Sequence, residues 1–305
     1  MKTSLELLEQ ILQETAKVVI GKDTEIKLAL SAFLSGSHLL IEDIPGVGKT
    51  TLAKTLAHVL GLKYSRVQFT NDLLPSDIVG LNIYNVNDAS FSFKKGPIFS
   101  EFLLADEINR ASSKTQSALL EAMEEKHVSV DGTTHSLPQP FFVVATKNPF
   151  EEVGTYELPS SQLDRFALSL SLGYPTPQAE REIFKNNQIV ALESLKSLSQ
   201  EEVLHLLSLV DTIHLNEDIL DLLQEILHFT RTSGLYVTGL STRAAINLLR
   251  LSKAWAILQK RDYVIPSDVL DVLPYICRHR LHAKGHKKTE LEIVDAIIKN
   301  LHIDT

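Results

Sequence analysis

A single cysteine, Cys277, stands in the whole chain, so no internal disulfide can form and no thiolate cluster can hold a metal. No apolar run reaches the roughly 18 residues that a membrane-spanning helix requires. The first residues, MKTSLELLEQILQE, are acidic and amphipathic and lack the apolar core of an export signal, so the expected compartment is the cytoplasm. Excess positive charge is missing too. With a net charge of −8, the chain is poorly suited to follow a nucleic-acid backbone, where each phosphate contact wants a Lys or Arg. One local basic stretch, His279–Lys288, reads as a solvated loop. Internal repeats and low-complexity tracts are absent.

What is present is an ordinary globular composition, 44% hydrophobic and 22% charged, over 305 residues, enough for about two domains and a large core. The stretch around which the rest is organised is IEDIPGVGKTT, from Ile41 to Thr51. A short apolar run, His38–Ile41, predicts a buried strand, and a helix is expected from Lys49 to Leu60. Between them Pro45, Gly46, Val47 and Gly48 form a turn whose backbone N–H groups can converge on phosphate oxygens. Lys49 would neutralise those oxygens, Thr50 would offer its hydroxyl to Mg²⁺, and Thr51 continues the first helical turn. Asp43 occupies the position where the pattern G-x-x-x-x-G-K-[ST] has its first glycine.

Upstream, an amphipathic helix over Leu5–Lys17 is expected to turn Leu5, Leu8, Ile11 or Leu12, and Thr15 inward, and Asp23 is expected to cap a second helix ending near Ser35. Val19 and Ile20, in the intervening turn, are the expected contacts on the adenine side. Downstream, Tyr64–Thr70 reads as a strand, Asn71–Gly80 as a polar turn region, and Ile83–Tyr84 with Phe91–Phe93 as a hairpin across Asn87 and Asp88. Phe102–Ala105 runs directly into Asp106 and Glu107. A buried parallel strand would deliver those carboxylates to the phosphate loop, Asp106 to the Mg²⁺ shell and Glu107 to the attacking water.

A helix over Lys114–Glu125 capped by Ser112 or Ser113, a hairpin across Asp131-Gly132, and strands at Phe141–Thr146 and Ala167–Leu172 complete the first half. Asn148 could touch the γ-phosphate or serve only as a turn former before Pro149. About five apolar strands alternating with helices predict a doubly wound parallel α/β domain over 1–175. The all-helical remainder, 176–305, carries expected helices at 178–190, 199–214, 216–232, 241–259, 266–281 and 289–301, with Leu220, Leu223, Leu227, Ile246 and Leu249 on the inner faces. Arg243, one turn into a helix, is unfavourable to that helix's dipole unless an anion lies before it. It is either a surface residue or a group facing the nucleotide across the domain junction.

Taken together, EDIPGVGKT, FTNDLLPSDIVG, GPIFSEFLLADEINRA, KTQSALLEAMEE, PFFVVATKNPFEEVGTYELPSSQLDRF and GLSTRAAINLLRLSKAWAILQKRDYVIPSDV make the chain resemble the MoxR family of AAA+ ATPases along nearly its whole length. The resemblance implies an AAA+ domain with a helical lid, ATP and Mg²⁺ as ligands, and a ring, six-membered in expectation, with nucleotide between subunits. Lys49 and Thr50 then belong to Walker A, Asp106 and Glu107 to Walker B, Asn148 to sensor 1 and Arg243 to sensor 2. Arg165 matches the arginine offered to the neighbouring subunit, with Arg110 a competing choice. Ser160-Ser161 stands where the family usually has Glu-Ala. The implied work is remodelling of a protein client, with a partner carrying a von Willebrand factor A domain. A nucleotide-gated binding module and a nucleic-acid motor are the other readings.

Overall fold

The computed structural model describes residues 3–87, 89–149, 154–185, 190–284 and 290–301. Helices α1 (Ser4–Ala16) and α2 (Asp23–Leu34) precede strand β1 (His38–Glu42), helix α3 (Lys49–Val59) and strand β2 (Tyr64–Gln68). A short α4 (Pro75–Val79) enters the hairpin β3 (Gly80–Asn85) and β4 (Ser90–Lys95). Then come β5 (Phe102–Asp106), α5 (Ser113–Glu125), the hairpin β6 (His127–Val130) and β7 (Thr133–Ser136), β8 (Phe142–Lys147), α6 (Ser160–Leu163) and β9 (Phe166–Leu170). The remainder is helical: α7 (Pro177–Lys185), α8 (Gln200–Thr212), α9 (Glu217–Thr232), α10 (Thr242–Leu258), α11 (Pro266–Cys277) and α12 (Glu290–Ile298).

Strands β1, β2, β5, β8 and β9 form one parallel sheet in the order β2-β5-β8-β1-β9. Their continuous apolar sequences follow from burial on both faces. Leu39, Ile41, Phe102, Leu104, Phe142 and Val144 point to one face, against α1 to α3 and the helical remainder. Leu40, Leu103, Ala105, Val143 and Ala145 point to the other, against α5. Phe142 joins the layers, with Phe33 and Phe102 edge-on at 5.4 and 5.2 Å.

Strand and helix order match the expected α/β plan, but the inner faces of several helices differ. In α1 the buried residues are Leu7, Leu8, Ile11, Glu14 and Thr15, whereas Leu5 is 43% exposed. In α9 the core takes Ile219, Leu222, Leu223 and Ile226, leaving Leu220 outside. In α10 it takes Ala244, Leu248 and Leu251, leaving Ile246 54% exposed. Apolar residues nearly surround these helices, so two stripes fit a 3.6-residue period and only the neighbouring element chooses between them. The N-cap of α2 is Lys22, with no side-chain cap bond, and Asp23 is already helical. The polar stretch after β2 contains α4, too short for periodicity to reveal. Asp88 and the end of the His279–Lys288 stretch lie outside the described residues, as do parts of the expected helices at 178–190 and 289–301.

The helical remainder is built onto the sheet. Packing runs from α2 to α10 and from β9 to α10 and α11, inside one continuous apolar cluster. Polar ties finish the joint. Arg250 Nε donates to the Ser35 carbonyl at 2.8 Å, and Arg280 Nε donates to Asp164 Oδ1 at 2.7 Å. Arg280 also reaches the Ala167 carbonyl at 2.9 Å and the Phe166 carbonyl at 2.5 Å.

Candidate active site

At the carboxyl end of β1 the chain leaves the sheet at Asp43 and re-enters regular structure at Lys49, the first residue of α3. Gly46 (φ +85°) and Gly48 (φ +96°) both take the left-handed conformation that side chains resist, and the space where a Cβ would sit is open at each. Gly48 is the N-cap of α3, so the loop leads straight into that helix's N-terminus, where unpaired N–H groups favour anions. Lys49 Nζ donates to the Asp43 carbonyl at 2.6 Å, which folds its side chain back over the loop.

Asp43 does structural work that a glycine could not. Its Oδ2 accepts from Gly173 N–H at 2.7 Å and Ser171 Oγ at 2.8 Å, and its Oδ1 accepts from Ile44 N–H at 2.8 Å. Burial alone would raise its pKa; those bonds outweigh it and hold the carboxyl below its usual range. The loop is thus pinned to the segment after β9. That segment also receives Lys22 Nζ at the Leu172 and Tyr174 carbonyls. A Cβ on neighbouring Gly21 would stand 2.7 Å from Ala179 Cβ. The turn bearing Val19, buried, and Ile20, half-buried, therefore lies against the start of the helical remainder, one short segment from the phosphate loop.

The acids arrive from β5, next but one to β1 in the sheet. Asp106, buried, accepts from Thr146 Oγ1 at 2.6 Å on one oxygen and from Arg66 Nη2 at 2.6 Å on the other. Glu107 adopts φ +56°, ψ +51°, a costly conformation for a non-glycine residue, and its N–H donates to Thr146 Oγ1 at 2.8 Å. Its Oε2 accepts from Gln68 Nε2 at 2.9 Å and Arg110 Nε at 2.8 Å. Asn148, buried, follows β8 beside Lys147, whose carbonyl accepts Asp43 N–H at 3.1 Å. Lys49, Thr50, Asp106, Glu107 and Asn148 thus share the carboxyl edge of the sheet, where ligands of such folds bind.

Arg66 and Gln68 escaped the sequence reading. They look like the solvent side of an alternating strand; Arg66 Nη2 donates to Gln68 Oε1 at 3.0 Å, and the β2–β5 register, Gln68 beside Asp106, brings both to the acids. Among the described residues no group of three or more His, Cys, Asp or Glu could hold an ion alone. A Mg²⁺ here would draw most of its ligands from phosphate and water, with Thr50 and Asp106 as the protein's share, the usual arrangement for that ion.

Arg165 and Arg243 lie elsewhere. Arg165 directly precedes β9, whose Phe166 stands beside His38 at the amino end of β1, so the length of β1, about 13 Å, separates this edge from Asp43 and the loop. Arg165 Nε donates to Glu124 Oε2 at 2.8 Å, and Arg243 Nη2 donates to Glu124 Oε1. Arg243, read from the sequence as either a surface residue or a group facing the nucleotide across the domain junction, is paired with Glu124 here. Packing of α10 against α2 and β9 carries its first turn to the opposite edge, and the anion before that helix is Glu124.

The arrangement has known relatives. Residues 38–168 match the family model for the ATPase family associated with various cellular activities (AAA), and residues 228–300 match the AAA lid domain. YeaC of Bacillus subtilis is 42% identical over 97% of this chain and 93% of its own. Chaperone MoxR1 of Mycobacterium tuberculosis is 38% identical over 92% of this chain and 77% of its own. A crystal structure of a candidate ATPase from Cytophaga hutchinsonii superposes with a TM-score of 0.90 at 37% identity, covering 99% of this chain and 96% of that one. A parallel sheet carrying a phosphate loop and paired acids, a helical lid, and relatives of this identity along almost the whole chain converge: the protein belongs to the MoxR family of AAA+ ATPases.

Proposed function

We infer that this chain binds ATP with Mg²⁺ and hydrolyses it between copies of itself arranged in a ring, six in number by family resemblance. The observation that carries the reading is the separation of Lys49 from Arg165 and Arg243. One chain holds both halves of a phosphoryl-transfer site, at opposite ends of the same sheet. A neighbour turned head to tail would bring its arginines to this chain's phosphate loop.

In that arrangement residues 1–175 hold the nucleotide and 176–305 form the lid. Pro45 to Thr51 cradle the phosphates, Val19 and Ile20 border the adenine, and Thr50 with Asp106 hold Mg²⁺. The ion, when bound, neutralises charge growing on the phosphoryl oxygens. Glu107 orients the attacking water or takes its proton, and Asn148 fixes that water from the adjacent strand. A trans-acting arginine of this type contributes about 10³–10⁵ in rate, roughly 4–7 kcal/mol. A mixture of Glu107→Gln chains with chains carrying both Arg165→Ala and Arg243→Ala tests the reading. Each is inactive alone, and mixing should restore turnover, because intact acids then meet intact arginines. Failure to complement in mixed assemblies would refute action between copies.

The name Chaperone MoxR1 of the Mycobacterium tuberculosis relative supports a chaperone-like task, remodelling or activating a protein complex. A partner bearing a von Willebrand factor A domain is the family expectation for delivering the client. A second reading rests on the state of the acids. Arg66 lies on Asp106, and Gln68 and Arg110 lie on Glu107, so both carboxylates are engaged internally. Such a site suits a nucleotide-gated binding module with negligible turnover. Phosphate release in the presence of saturating partner separates the two.

A further inference from the structure

We propose that Glu124 is a positioning residue that holds Arg165 and Arg243 together as one two-pronged receptor for a phosphoryl group of the adjoining copy. This rests on the reading that both arginines act between copies, and adds the group that makes them act as a unit. Each carboxylate oxygen takes one guanidinium: Oε2 accepts from Arg165 Nε at 2.8 Å and Oε1 from Arg243 Nη2. The two arginines come from elements 78 residues apart in sequence (243 − 165), and like charges would splay without an anion between them. Planar guanidinium forks keep further N–H groups for a second acceptor, which suits phosphate oxygens. Lys126 and Asn247 line the same pocket.

Glu124 is badly placed for any helix-stabilising purpose. It occupies the last turn of α5, where the carbonyl end of the dipole disfavours a carboxylate, and Glu125 follows it. All three members stand on fixed supports. The end of α5 is tied to the sheet by His38 Nε2 donating to the Met123 carbonyl at 3.3 Å. Arg165 precedes Phe166, whose carbonyl accepts from buried His279 at 3.1 Å and from Arg280. Arg243 follows Ser241, whose hydroxyl donates to Asp164 Oδ2 at 2.8 Å. A constellation held this way spares the ordering of two long side chains when the phosphate arrives.

Glu124 also opposes phosphate binding by cancelling positive charge. Its side chain is 34% exposed and those of Arg165 and Arg243 are 26% and 43%, so solvent weakens that cancellation. Orientation is therefore the larger effect, and it sets the sign of the test. ATP turnover is measured at ring-forming concentration for Glu124→Gln, Arg165→Ala, Arg243→Ala and the two double variants containing Glu124→Gln. Glu124→Gln alone should lower kcat about tenfold, leave ATP affinity of the dilute chain unchanged, and leave Tm unchanged or higher. Within either arginine background the same substitution should cost markedly less, because its effect passes through the pair. An unchanged or raised kcat in Glu124→Gln, or an equal factor in every background, overturns the proposal. Arginine variants that turn over ATP normally would sink the action between copies instead, whatever Glu124 does.

Discussion

His38 stands at the foot of β1 with both ring nitrogens engaged. Nδ1 accepts from Val143 N–H at 3.1 Å, so Nε2 carries the proton and donates to the Met123 carbonyl. Burial is the main cause that pushes its pKa down, to about 4, from an ordinary 6.5. A group depressed in the folded state contributes stability that is complete above its unfolded pKa. That contribution fades as pH falls from about 6.5 toward 4, by about 3 kcal/mol at most. Buried His279 is lowered in the same direction, first by desolvation and then by Arg280. Urea midpoints should therefore drop between pH 7 and 5, and His38→Gln, which can keep both bonds, should flatten the slope. A second residue-scale prediction divides the work of the site. Glu107→Gln should leave ATP affinity within about threefold while hydrolysis falls roughly 10²–10⁴-fold. Lys49→Ala should weaken binding itself by about 10–100-fold, the loss of a charge-assisted contact. Calorimetric binding beside steady-state turnover separates the two.

Between elements, the joint of α10 and α11 with the sheet turns on Asp164. It accepts from Arg280 Nε at 2.7 Å and from Ser241 Oγ, which also accepts Ala244 N–H at 3.0 Å as the N-cap of α10. Asp164→Ala strips a buried guanidinium of its counter-charge and should cost about 3–5 kcal/mol. Ser241→Ala removes a cap and should cost about 1 kcal/mol. Urea unfolding of both variants checks the ranking. At this scale the sequence was legible wherever a residue's meaning lies in its neighbours along the chain. Gly46-Val47-Gly48-Lys49 at a strand end and Leu104-Ala105-Asp106-Glu107 at another are local signals, and so is the Ser199–Glu202 capping box, present at 2.8 and 3.3 Å. Legibility ended where meaning comes from register or docking. Arg66 and Gln68 reach the acids through the β2–β5 pairing, Leu220 and Ile246 face outward because of what lies beside their helices, and Glu124 is one glutamate among several in SALLEAMEE until two remote arginines reach it.

For the molecule as a whole, the proposed action between copies, with the glycine loop at one end of the sheet and Arg165 at the other, would make turnover a property of pairs of chains. Activity per chain should climb steeply with protein concentration over the range where assembly is seen by light scattering, and a flat profile would contradict it. One further consequence follows from the unbroken apolar layer that joins the sheet to α8, α10 and α11. Swinging the helices away from the strands would wet Leu248, Leu251, Val272 and Leu273 together, at about 1.5–3 kcal/mol for each large side chain. Hinge opening between the sheet and these helices is therefore an expensive motion. The sheet and the helices packed on it are thus built to move as one body.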